Sequence, residues 1–335
     1  MLRIRWLLIL ALLLGGCAQA TPAVTPTPTP ESVAAAPTLA PTALPTVTPA
    51  PPTATPETPT PTAPPPTATA EPPTPIPPTA TPEPPPGLPP EPQAVSFTAE
   101  DGQELEGVYY PGASGLSPMV VLMHWAGGDL RDWGAIAPWL QNRGVAPPPP
   151  TGGMPWLDDS WFPPMPEDES YAVFTFTFRG CEGGCRQFDR EGWLLDAQAA
   201  MRTARGLEGV DPQRVVAVGA SLGADGAADG CLLLNQEFPA NCRGAFSLSP
   251  GSYLGPVYPE VIADLEAVEP LPLTRCAYAV DDVPSARACQ AAEGGRYQAI
   301  EYPGDDHGMS LVRPDADPPI LELLIDFVEE ALAEG

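Results

Sequence analysis

The chain has 335 residues, 51 of them proline, and a formal net charge of −27 with arginine as its only basic side chain. So acidic a surface excludes a nucleic-acid partner, because nothing on it could neutralise a row of phosphates. It is read instead as the solubility feature of an exported protein.

The first residues form a targeting signal. Arg3 and Arg5 make a short positive segment, and Trp6 to Leu14 an apolar core too short to span a bilayer as a mature helix. Leu14-Gly15-Gly16-Cys17 follows, which resembles a bacterial lipoprotein signal ending in a lipidated cysteine. Acyl chains on Cys17 would make the membrane a partner, with the rest of the protein on its extracytoplasmic side. Residues 18 to 94 are a low-complexity run of Pro, Thr and Ala with no hydrophobic periodicity. Such a run buries too little apolar surface to offset its ordering entropy, and its prolines favour extended polyproline II. A disordered spacer is therefore expected between the signal, residues 1 to 17, and a domain over residues 95 to 335. That domain carries 13 arginines against 37 acidic residues, a balance of −24.

Within the domain, Val95 to Thr98 and Glu104 to Tyr110 flank the turn pair Asp101-Gly102 and read as a hairpin. Met119 to Met123 is a continuous apolar run, as a strand buried on both faces requires. Residues 141 to 170 hold a long irregular stretch with Pro147 to Pro150, Met154, Trp156, Trp161, Phe162 and Met165. A stretch this long and aromatic reads either as a lid or pocket wall, making Trp156 and Trp161 pocket candidates, or as a cover for a sheet edge. Tyr171 to Phe178 is a second buried strand, Trp193 to Ala204 has helical spacing, and Arg214 to Val218 is a short β-branched strand. Gly244 to Leu248, Cys276 to Val280 and Tyr297 to Tyr302 are further strands, and Ile320 to Ala333 is an amphipathic closing helix. Alternation of strand and helix after an opening hairpin predicts an α/β fold, a mostly parallel sheet with helices on both faces.

Six cysteines follow the signal in three sequence-local pairs, Cys181 with Cys185, Cys231 with Cys242 and Cys276 with Cys289. In an exported chain an even count reads as disulfides in that pairing. Only two histidines are present, His124 and His307, so a zinc site is not expected.

Three motifs carry chemistry. The first is Val215-Val216-Ala217-Val218-Gly219-Ala220-Ser221-Leu222-Gly223-Ala224, a strand, then G-x-S-x-G, then small residues able to begin a helix. A serine on such a tight turn is exposed at a helix amino terminus, where backbone N–H groups sit beside the attacked carbon. The second is Val120 to Met123 followed by His124-Trp125-Ala126-Gly127-Gly128, a strand that ends in histidine and a glycine-bearing loop. The third is Tyr302-Pro303-Gly304-Asp305-Asp306-His307-Gly308, a histidine after the last strand.

In this order the motifs resemble the α/β-hydrolase family, and within it the dienelactone-hydrolase-like and serine-esterase-like branches. The resemblance implies Ser221 as nucleophile and His307 as base, because His124 matches the oxyanion-loop position. It implies an acid after the strand that ends at Val280: Asp282 first, Asp281 second. Oxyanion donors are implied at Leu222 N–H and at either Trp125 or Ala126. Trp125 stands where the family usually has glycine, which also brings an indole to the site as a pocket candidate. The implied activity is hydrolysis of small or polymer-borne esters through an acyl-enzyme, with no cofactor. A peptidase of the same fold and a non-catalytic surface binding protein remain the alternatives.

Overall fold

The structure is a computed structural model and describes residues 89–113, 115–145 and 158–333. Cys17, nearly all of the expected spacer and Trp156 lie outside the described residues.

The chain enters its first hairpin through β1 (Gln93–Thr98) and β2 (Glu104–Tyr110). Gly102, at φ +88°, takes the left-handed position of the turn between them. Chain upstream of Ala94 is already held, since Gln141 Nε2 donates to the Pro90 carbonyl at 2.8 Å. The central strands are β3 (Ser117–Met123), β4 (Ala172–Phe176), β5 (Val210–Ala220), β6 (Cys242–Leu248), β7 (Leu273–Ala279) and β8 (Tyr297–Tyr302). They form one eight-stranded sheet in the order β1-β2-β4-β3-β5-β6-β7-β8. The β1–β2 and β2–β4 pairs are antiparallel; from β4 to β8 every pair is parallel.

Helices α1 (Ile136–Leu140), α2 (Arg190–Arg205), α3 (Leu222–Glu237), α4 (Tyr258–Leu265), α5 (Val283–Ala291) and α6 (Ile320–Ala333) cover the sheet. Side chains alternate along each strand, so one continuous apolar run feeds two cores. Met119, Val121 and Met123 of β3 join residues of α2, α3, α4 and α5 on one face. Val120 and Leu122 join α1 and α6 on the other. This explains why the β3 and β5 segments show no polar alternation in the sequence. The small residues after Ser221 have a packing role as well: a Cβ on Gly226 would meet Met123 Sδ at 2.9 Å, so glycine lets α3 lie close on β3.

The sequence marks Trp193 to Ala204 as helical; α2 begins earlier, at Arg190, where the Asp189 carboxylate caps the amide of Gly192 at 3.0 Å. Helices α4 and α5 were not anticipated. Each opens with proline in its first turn and is only 8 or 9 residues long, too short for a clear periodic signal. Three disulfides join Cys181 to Cys185, Cys231 to Cys242 and Cys276 to Cys289.

Candidate active site

Strand β5 ends at Ala220 and helix α3 begins at Leu222, so Ser221 alone makes the turn between them. Its backbone sits at φ 54°, ψ −119°, a conformation that side chains other than glycine rarely adopt. The turn persists because its surroundings leave no other path. Ser221 N–H donates to the Leu248 carbonyl at 2.8 Å. A Cβ on Gly219 would lie 1.8 Å from the Gly223 carbonyl oxygen, and one on Gly223 would lie 2.3 Å from that of Met123. Both glycines of the G-x-S-x-G pattern are therefore required by backbone contact.

The turn aims Ser221 Oγ at His307, whose Nε2 lies 2.8 Å away. His307 follows β8, and its Nδ1 lies 2.7 Å from Asp282 Oδ2. Asp282 directly precedes α5 but does not cap it; its carboxylate turns to the imidazole instead. Of the two candidate acids, Asp282 meets the histidine. Asp281 is exposed and uses its amide to bind the Gly304 carbonyl at 2.9 Å, which ties the loop after β7 to the loop after β8. Asp306 pairs with Arg313 at 3.0 Å. The arrangement provides a hydroxyl, a base that can take its proton, and a carboxylate that holds one tautomer and steadies the imidazolium.

The two loops flanking this chain of groups supply the rest of the wall. Trp125 is half-buried, and its ring lies where a Cβ on Gly308 would come within 3.2 Å, a position also 3.6 Å from Ser221 Cβ. The indole is thus placed beside the serine. The amides of Leu222, Trp125 and Ala126 donate to no backbone group among the described residues. Trp161 lines a cavity of about 160 Å³ with Ser160, Arg313, Pro314, Pro319, Leu321 and Glu322, and neither Ser221 nor His307 lines it. Among the described residues, no three His, Cys, Asp or Glu side chains gather as a metal-binding group.

No family model matches the chain. The uncharacterized protein YfhR of Escherichia coli K12 is 27% identical over 200 residues, 54% of this chain and 60% of YfhR. YfhR of Salmonella typhi is 27% identical over 205 residues, 55% of this chain and 62% of its own length. The chain therefore spans less than two thirds of these relatives. Among solved structures, an esterase of Pyrobaculum calidifontis superposes with a TM-score of 0.50 at 16% identity, over 72% of this chain and 84% of the esterase. The alpha/beta hydrolase GrgF of Penicillium sp. sh18 gives a TM-score of 0.50 at 12% identity, over 72% of this chain and 99% of GrgF. This chain has the α/β-hydrolase fold.

Two further residues support the site without belonging to any of the three motifs. Ser249 follows β6, is fully buried at φ 58°, and accepts the Gly308 N–H on its hydroxyl at 2.9 Å. It thereby holds the residue next to His307. A polar side chain just past the carboxyl end of a parallel strand was the available signal, since α/β sites collect there. Asp225, in the first turn of α3, accepts the amides of Gly251, Ser252 and Tyr253. Tyr253 in turn meets the His307 ring edge-on, with centroids 6.2 Å apart. Burial pushes the Asp225 carboxyl up to about 7, against the opposing pull of those three amides. Nothing in the sequence marks it, because its partners lie 26 to 28 positions away.

Proposed function

We propose that this protein is a serine hydrolase acting on carboxylic esters, held by lipid on Cys17 at the extracytoplasmic side of a bacterial membrane. The observation that carries the reading is the hydrogen-bonded series Ser221–His307–Asp282 with its serine on a strained strand-to-helix turn. In this reading Ser221 Oγ attacks the ester carbonyl while His307 Nε2 takes the hydroxyl proton. Asp282 keeps the other proton on Nδ1 and stabilises the positive ring. Leu222 N–H and an amide of the Trp125–Ala126 segment bind the oxyanion. His307 then gives its proton to the leaving alcohol, and an acyl group remains on Ser221. Water attacks that acyl group with His307 again as base, releasing the acid. Substrate is bounded on one side by the Trp125 indole, which suits an apolar group next to the reacting carbonyl. The three disulfides fit an exported protein.

A fluorophosphonate probe tests the chemistry. The folded, oxidised protein should be labelled at Ser221, and Ser221→Ala should lose both labelling and turnover. An unlabelled native protein would overturn the reading. A panel of p-nitrophenyl esters set against the matching anilides separates esterase from peptidase, and dominant anilide cleavage would favour the latter. Intact mass of the processed protein checks acylation at Cys17.

A further inference from the structure

The chemistry above uses one of the two histidines. The other, His124, is fully buried immediately after β3. Its Nε2 lies 3.0 Å from the backbone nitrogen of Phe178. An amide nitrogen only donates, so Nε2 accepts and the ring proton resides on Nδ1. That N–H donates to the Trp125 carbonyl, 2.6 Å away. The same carbonyl also receives the Gly128 N–H at 3.3 Å. In a trans peptide the carbonyl and the following N–H point in opposite directions. Holding the Trp125 carbonyl therefore sets the direction of the Ala126 N–H.

The loop is gripped a second time by the segment after β4. Cys185 N–H donates to the Ala126 carbonyl at 2.8 Å, and Gly183 N–H donates to the Asp129 carboxylate at 2.8 Å. Gly184, at φ +112°, lies so close that a Cβ there would come within 3.4 Å of the Gly127 carbonyl oxygen. The Cys181–Cys185 disulfide closes this hairpin. Two successive peptide groups, Trp125–Ala126 and Ala126–Gly127, thus have their carbonyls occupied, the first by the buried His124 and the second by the Cys185 amide.

We propose that His124, backed by the Cys181–Cys185 hairpin, is a positioning residue that aims the Ala126 N–H at the oxyanion, which makes Ala126 and not Trp125 the second donor. The inference rests on the serine-hydrolase reading of Ser221. It adds a role for a histidine that never exchanges a proton with substrate. It also gives the disulfide a task in the site: it stiffens the support behind the loop.

The test compares His124→Phe, which keeps a flat ring but loses both hydrogen bonds, with His124→Asn, which restores a donor near the Nδ1 position. Loss of one oxyanion donor costs about a hundredfold or more in kcat, so His124→Phe should fall by about 30- to 300-fold while KM changes less than about threefold. His124→Asn should recover about tenfold of that loss. A His124→Phe enzyme within about threefold of wild-type kcat, or equal losses in the two variants, would overturn the proposal. The double variant Cys181→Ser/Cys185→Ser leaves His124 in place and should lower kcat by about threefold to tenfold at unchanged KM. Unaltered kcat there would remove the hairpin from the proposal. A nitrogen-15 spectrum of the imidazoles needs no turnover. It should show one ring protonated on Nδ1 only, unchanged from pH 5.5 to 8.5. A proton on Nε2 of that ring, or titration within that interval, defeats the inference whether or not the wild type hydrolyses esters. A wild type that neither labels nor turns over defeats the reading of Ser221 instead.

Discussion

The two histidines occupy opposite environments within one site. His307 stands on a loop after β8, its side chain one-third exposed at 33%, between a carboxylate and a hydroxyl. His124 is sealed under the loop after β3, between a backbone amide and a backbone carbonyl. His307 faces a hydroxyl, which has a proton to give, and a carboxylate, which accepts the proton on its other nitrogen. An amide gives up nothing, and burial penalises charge, so His124 is held down at about 4 by desolvation against the weaker upward pull of the Trp125 carbonyl and Asp129. What differs between the two histidines is the neighbour on each nitrogen, not the ring.

The comparison breaks most visibly at His307. His307→Gln keeps a polar side chain of similar length but cannot accept and return a proton. Turnover should fall by about 10⁴-fold or more, while the folded structure and its melting temperature change little. Loss of less than about tenfold in steady-state ester hydrolysis would mean that another group serves as base.

The next effect concerns the carboxylate. Asp282→Asn leaves the shape of the site but removes the charge opposite Nδ1 and permits the wrong tautomer. A drop in kcat of about 10²- to 10⁴-fold is expected, with Asp281→Asn within about twofold of wild type. The pair sharpens the assignment because the residues are adjacent in sequence, yet only Asp282 touches the ring. Equal losses in the two variants would show that the loop, and not the carboxylate, carries the effect.

The legibility of these features in the sequence follows the distance over which each is determined. The buried strands were visible because burial on both faces leaves unbroken apolar runs, as in Met119 to Met123. Ser221 was visible because its constraint is local: Gly219 and Gly223 flank it and contact neighbouring backbone. Asp282 and Asp281 could be ranked by family pattern alone, since only the fold turns one of them toward His307. Asp225 was invisible, because it acts on backbone amides of a distant loop, and Ser249 showed only as a polar residue past a strand end, with nothing to tie it to Gly308. Trp161 shows the opposite limit. An aromatic in a long loop reads equally as pocket wall or as cover, and here it packs against the α6 side of the core. For His124 the sequence marked a place in the oxyanion loop, whereas its tautomer depends on Phe178, 54 residues further on.

The smallest effect is on stability, and it separates His124 from a carboxyl on its own loop. Asp132 is pushed up from 3.8 to about 7, chiefly by burial and then by the charge of Asp129. The Trp125 indole leans toward it without reaching hydrogen-bonding geometry. A raised acid binds a proton more tightly in the folded state, so its contribution is complete below pH 3.8 and is lost as pH rises to about 7. His124 has the reverse sign: its contribution is present above 6.5 and is lost as pH falls through about 4. Asp132→Asn removes only the first of these slopes. At pH 8 the variant should be more stable than wild type by about 1–2 kcal/mol. At pH 4 the two should unfold at nearly the same urea concentration. An equal difference at both values would assign the change to packing against Gly128, whose Cα lies against the Asp132 carboxyl, and not to the charge. The acid limb that remains in Asp132→Asn then belongs to groups that must charge or discharge on acidification, His124 foremost among those under the loop, and it should flatten further in His124→Asn.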